Sequence, residues 1–215
     1  PGEGYRTFLV PKGDYVIEDT WFPMGLHGTG SQDIVIEDCF VPEHRTHKQL
    51  DGFNLTNPGA KVNTASLYQI PWAQIFVRVV STPAIGACKD ALRLYQDIAN
   101  SKASMDPSKH AQDSATLERI ANAANTINEM EAVMFTNFAT MEQAAENGDS
   151  LTYQQRALFR LQASMVIEKS MGVVDSLFSS AGGRSVFQGA EIQQRFLDIH
   201  TARAHVANNP SHFAR

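Results

Sequence analysis

Cysteine is scarce in this chain. Cys39 and Cys88 are the two among 215 residues, far apart and in no metal-ligand or redox spacing. A disulfide framework and a zinc site are thereby excluded, and a reducing, cytoplasmic compartment is expected. Long apolar runs are lacking as well: none approaches the ~18 residues of a membrane-spanning helix. Lys and Arg form no block or stripe and the net charge is only -5, which argues against nucleic acid and anionic membrane as partners. There is no internal repeat, low-complexity tract, phosphate-binding loop or nucleophile signature. Gly28-Thr29-Gly30 opens a strand instead of a helix, so it is no dinucleotide fingerprint. The opening Pro1-Gly2-Glu3-Gly4 has neither an initiator Met nor a basic, then apolar, leader. A strand already under way at Tyr5 leads to the expectation of a chain that enters its fold in the middle.

What is present is ordinary globular material, 43% hydrophobic and 19% charged, enough for a real core. The first third is strand-like, with β-branched and aromatic runs at Tyr5 to Val10, Tyr15 to Trp21 and Ser31 to Pro42. Residues 43 to 69, with Asp51-Gly52 and Asn57-Pro58-Gly59, read as loop or linker.

From Pro71 the period lengthens to that of helices. A first long helix carries Ile75, Val79, Ile85 and Leu92 on one face, and Pro83 is expected to kink or divide it. A second spans about Gln112 to Ala145 and ends at Asn147-Gly148-Asp149. Thr152, with Gln155 as capping-box partner, starts a third that Gly182-Gly183 stops. A last helix is expected from about Ile192 to Ala207. The fold class is therefore α+β: a partial β domain and linker over 1–69, then an up-and-down four-helix bundle over 70–215.

Two segments carry a family resemblance. Trp21-Phe22-Pro23-Met24-Gly25-Leu26-His27-Gly28-Thr29-Gly30-Ser31, continuing to Val41-Pro42, resembles the Gly-rich turn and strand of the acyl-CoA dehydrogenase superfamily. Its Gly-Thr-Gly-Ser form, and the ending from Arg195 to Pro210, are similar to the flavin-dependent monooxygenase branch of that superfamily. The resemblance covers essentially the whole chain and about the rear half of a family-length protein. It implies the oxygenase component of a two-component system that hydroxylates a small aromatic substrate through a C4a-peroxyflavin. Reduced flavin, FMNH2 or FADH2, would come from a separate flavin reductase, and a homotetramer or homodimer is implied. An acyl-CoA dehydrogenase or oxidase, or a non-catalytic helical assembly module, are the rivals.

Site residues follow from the same resemblance. Dehydrogenases keep a glutamate base eight residues after an Arg-Asp pair; here the pair is Arg195 and Asp198, that place falls on Val206 beside His205, and no carboxylate follows Asp198. An imidazole suits instead the negative charge that develops on dioxygen, so His205 is the catalytic candidate; the alternative is a cap or interface contact. His200, about 140° away on one helix, would then face elsewhere. Thr29 and Ser31 are expected near the flavin or to satisfy their own turn. Gly182, Gly183 and Arg184 resemble the loop that reaches a neighbouring subunit's flavin, or form a plain helix end. Lys102 and Gln112 loosely match the pair that holds the cofactor's diphosphate, though the Phe-Gly between them is replaced by Met105-Asp106-Pro107. Lys102 as a solvated loop lysine is the other reading, and FMN and FAD both stay open. Phe135, Phe138, Phe159 and Phe178 serve either packing or an aromatic pocket.

Overall fold

The computed structural model describes residues 4–105 and 113–212. Its strands are short and pair in two antiparallel couples. β1 (Arg6–Phe8) pairs with β4 (Thr46–Lys48), and β2 (Val16–Glu18) with β3 (Asp33–Val35). Each strand is shorter than its β-prone run. Beyond Glu18 the chain is held by a side chain instead of a ladder: Gln32 Oε1 accepts from the backbone N–H of Thr20 at 2.6 Å and of Trp21 at 2.8 Å.

The expected linker is more ordered than its composition indicated. It contains β4 and two short helices, α1 (Gln49–Asn54) and α2 (Pro58–Val62). Asn57-Pro58 is a helix start here, not a turn: Asn57 Oδ1 accepts from Ala60 N at 3.0 Å and Pro58 occupies the first turn, where its missing N–H costs nothing.

Four helices form the bundle: α3 (Trp72–Met105), α4 (Ser114–Asn147), α5 (Tyr153–Ala181) and α6 (Glu191–Ala202). Cross-helix contacts give their directions. Thr82 meets Met134 and Lys89 meets Glu131, so α4 runs against α3. Asn137 meets Gln162 and Glu129 meets Lys169, so α5 runs against α4. Glu168 pairs with Arg203 and Asp175 with His200, so α6 turns back along α5. The order is up-down-up-down. Ile127, Met130, Ile167, Val174, Leu177 and Ile199 meet in its core.

Two details differ from expectation. α3 is not divided at Pro83; proline leaves the carbonyl of Val79 without its helical donor but does not end the helix. α6 stops five residues early. The carbonyl of Ala202 accepts from His205 N at 3.2 Å and from Asn208 Nδ2 at 2.8 Å, so a side chain takes the place of the next turn. His205 therefore lies beyond α6, which removes the angular argument relating it to His200. The bundle also takes in one guanidinium. Arg78 is 2% exposed and burial pushes its pKa down to about 10. With the Asn137 amide turned, the amide oxygen accepts from Arg78 Nη2 at 2.7 Å.

The start of α5 is a complete capping box: Thr152 Oγ1 accepts from Gln155 N at 3.2 Å, and Gln155 Oε1 accepts from Thr152 N at 2.9 Å. Thr152→Ala is expected to lower unfolding free energy by about 1 kcal/mol, read as a shifted urea midpoint at unchanged slope.

Candidate functional site

The Gly-rich turn, α3 and the end of α6 enclose a cleft of about 950 Å³. The turn is clamped onto α6 by backbone contact. A Cβ on Gly25 would lie 2.4 Å from the carbonyl carbon and oxygen of Leu197, so no side chain fits there. The next residue, Leu26, adopts φ 57°, a left-handed conformation that costs a non-glycine residue about 1 kcal/mol or more. That twist turns its N–H to Asp198 Oδ1 at 2.6 Å. Its carbonyl turns the other way and accepts from Trp21 Nε1 and Thr29 Oγ1, both at 2.9 Å.

Charged groups tie the remaining walls together. Arg195 on α6 donates from Nε to Asp90 Oδ2 on α3 at 2.7 Å, and its Nη1 lies 4.0 Å from Asp198. Gln194 Nε2 donates to Asp198 Oδ1 at 2.7 Å. The hydrogen bond from Arg195, aided by Arg93, holds the Asp90 carboxyl below its usual range. A depressed folded-state value stabilises the fold fully above the ordinary carboxylate pKa of about 4 and is lost as pH falls through the folded value. Thermal melts below pH 4 should therefore fall more steeply for the wild type than for Asp90→Asn.

His205, Thr29 and Ser31 line this one cleft, whose walls are otherwise largely apolar, with Val80, Ala84 and Ala87 among them. His205 Nδ1 accepts the Ala207 N–H at 3.1 Å, so the neutral ring carries its proton on Nε2. Its capping role is thus real, but for the 3-10 turn Val206–Asn208 and not for α6. The ring packs beside Phe76, with centroids 6.0 Å apart. Thr29 has its hydroxyl committed to Leu26, in accord with the self-satisfying turn. Ser31 has no hydrogen-bond partner for its hydroxyl among the described residues.

Lys102, Gly182, Gly183 and Arg184 gather elsewhere, in a cleft of about 520 Å³ where the end of α3 meets the end of α5. Lys102 is not simply solvated. Its Nζ donates to the Ser180 carbonyl at 3.4 Å, in the last turn of α5, where a cation is favoured. Gly182 (φ 97°) ends α5, and Arg184 is exposed. Gln112 lies outside the described residues. The four candidate pocket phenylalanines do not line the 950 Å³ cleft: Phe159 is buried in the bundle, Phe138 packs against the core, Phe178 stacks on Phe196 and Phe135 is exposed. His200 pairs with Asp175 at 2.8 Å.

Sequence reasoning passed over Asp90, Thr201 and Asn208, all of which line the main cleft. Asp90 is one polar residue in a long helix, and no local signal marks it as the partner of a residue 105 positions away. Among the described residues no group of His, Cys, Asp or Glu could hold a metal ion, and no helix is long and apolar enough to cross a membrane.

Residues 78–210 match the family described as acyl-CoA dehydrogenase, C-terminal domain. The chain is 32% identical to the oxygenase subunit HsaA, a flavin-dependent monooxygenase of Rhodococcus jostii, over 96% of this chain and 54% of the relative. Against the oxygenase component of the FADH2-dependent resorcinol hydroxylase of a Rhizobium species it is 26% identical, over 94% of this chain and 52% of that protein. The crystal structure of the 3-HSA hydroxylase of Rhodococcus sp. RHA1 superposes with a TM-score of 0.91 at 31% identity, over 97% of this chain and 54% of that one. The chain thus spans about half the length of the curated relatives it matches. Since the family match takes in all of α4, α5 and α6, the chain belongs to the acyl-CoA dehydrogenase C-terminal domain family.

Proposed function

We propose that the protein is the oxygenase component of a two-component flavin-dependent monooxygenase acting on a small aromatic substrate. The observation that carries this reading is the state of the polar groups in the main cleft. His205 offers a free Nε2–H, while both carboxylates there, Asp90 and Asp198, are already bound by Arg195, Gln194 or the Leu26 amide. A carboxylate tied to a guanidinium is a poor base for removing an α-proton from a thioester, so neither carboxylate of this cleft serves the dehydrogenase rival.

The cleft suits a flavin ring. It is roomy and mainly apolar. Bound reduced flavin, FMNH2 or FADH2, would supply the two electrons that activate dioxygen, one oxygen atom entering the substrate and the other leaving as water. The role of this chain is then to hold the ring between turn and bundle, exclude water with alanine and valine walls, and place the His205 Nε2–H where negative charge develops on oxygen. Lys102, Gly182, Gly183 and Arg184 form a second, cationic corner suited to a phosphate. In a homodimer or homotetramer that corner serves the flavin of a neighbouring subunit. A separate reductase and a cytoplasmic setting complete the reading.

The test is anaerobic loading of the full-length protein with FMNH2 or FADH2, then mixing with labelled dioxygen and a panel of phenols. One labelled atom in a hydroxylated product is the expected result. Failure to bind reduced flavin, or bleaching of bound FAD by an acyl-CoA, would overturn the assignment.

A further inference from the structure

Pro83 lies in the interior of α3, where proline is the least favourable residue a helix can carry. Having no N–H, it leaves the backbone carbonyl of Val79 without the donor that any other residue at that place would supply. A helix carbonyl lies on the helix surface between the side chains of its own residue and of the residue four on, which are about 40° apart around the axis. Here those two are Val79, 63% exposed, and Pro83, also exposed, and both line the cleft of about 950 Å³. Gly86 and Asp90 fall within the same sector of about 60° and line the cleft too. A Cβ on Gly86 would meet nothing within 4 Å. The freed carbonyl therefore belongs to the strip of α3 that faces open space. Neighbouring hydroxyls do not complete it: Thr82 Oγ1 donates to Met134 Sδ at 3.5 Å, and Ser81 Oγ is buried without a partner.

We infer that the Val79 carbonyl, freed by Pro83, accepts a hydrogen bond from the N5–H of a reduced flavin in the cleft, and so favours the reduced over the oxidised cofactor. A backbone carbonyl only accepts. Flavin N5 is a bare acceptor in the oxidised ring and an N–H donor in the reduced one. Two acceptors facing each other repel, so the same carbonyl attracts one redox state and disfavours the other. N3–H donates in both states and would make no such distinction. The inference rests on the oxygenase reading above and deepens it: a subunit that receives flavin from a separate reductase is served by holding the reduced form and releasing the oxidised one. It also gives the proline a reason. A local rule of helix formation is broken where a ligand, not the next turn, completes the bond.

Pro83→Ala in the full-length protein tests this, since the alanine N–H restores the helical bond and takes the carbonyl away from the ligand. The melting temperature of the flavin-free variant should rise by several degrees. In anaerobic titration its Kd for FMNH2 or FADH2 should rise about tenfold, the size of one hydrogen bond to a ligand, while the Kd for the oxidised form does not move. The reduced 5-deaza analogue of the same flavin carries CH2 in place of the N5–H. It should bind the wild type about tenfold more weakly than the parent flavin and lose nothing further in the variant. Equal losses for the reduced and oxidised forms would mean that straightening α3, not a hydrogen bond, sets affinity, and would overturn the inference. So would an unchanged Kd for the reduced flavin, or a lowered melting temperature, since the restored bond would then be absent. A wild type that binds neither reduced flavin would remove the oxygenase reading and this inference together; each of the other failures leaves that reading standing.

Discussion

Gly25→Ala is expected to lower the melting temperature by several degrees and, under the proposed function, to weaken flavin and substrate binding more than tenfold. The added Cβ would sit 2.4 Å from the backbone carbonyl of Leu197 and 2.7 Å from the Asp198 nitrogen. Backbone atoms of a packed helix cannot swing aside like the end of a lysine, so the turn must lift. Overpacking of this kind costs typically 1–3 kcal/mol, or roughly 2–4 °C per kcal/mol in a chain of this size. The larger consequence is local. Lifting the turn separates the Leu26 N–H from Asp198 and opens the cleft wall that carries Thr29 and Ser31. Gly28→Ala is the control, because a Cβ at Gly28 meets nothing within 4 Å. Equal behaviour of the two variants in calorimetry and in titration with reduced flavin would show that the clamp is not what shapes the cleft.

Under the proposed function, His205→Ala is expected to lower hydroxylation about 100-fold, the loss that follows removal of one donor aimed at developing negative charge, while dioxygen uptake continues with release of hydrogen peroxide. The two ring nitrogens have separate jobs, and substitutions can separate them. Asparagine can keep an acceptor near Nδ1 for the Ala207 amide but loses the donor at Nε2; glutamine reaches the Nε2 position but gives up the cap. Activity should therefore follow Gln above Asn and Ala, whereas stability of the 3-10 turn should follow Asn above Gln and Ala. Product yield per dioxygen consumed and thermal melts read the two orders independently. Parallel orders would mean that His205 only holds the turn.

Much of the bundle was legible because its signals are local. The Thr152–Gln155 capping box and the stop at Gly182 need no distant partner, and each stands as expected; Ile127, Met130 and Met134, three and four residues apart, are buried along α4. α5 was harder to read. It is buried against α3, α4 and α6 at once, so Ile167 and Val174 are enclosed as well as the stripe of Phe159, Ala163, Val166 and Val173, while Leu158 is half exposed. Val79 shares one face of α3 with Ile75, Ile85 and Leu92 in the sequence pattern, yet is 63% exposed, at the wall of the cleft. Periodicity reports that a residue is apolar, not whether a helix or a ligand is to cover it.

By itself, the chain's order of residues determined the long bundle helices and the capping box of α5. Those are properties of neighbours in sequence, where hydrogen bonds close over three or four residues. The resemblance of two segments pointed to the family and to His205 as the group to examine. Tertiary structure alone decided that Asp90, Arg195, Asp198 and the Leu26 amide form one wall. For that wall the physical reason is separation along the chain. These are bonds between groups brought together only by packing, 172 residues apart for Leu26 and Asp198, and no local pattern encodes such a pair.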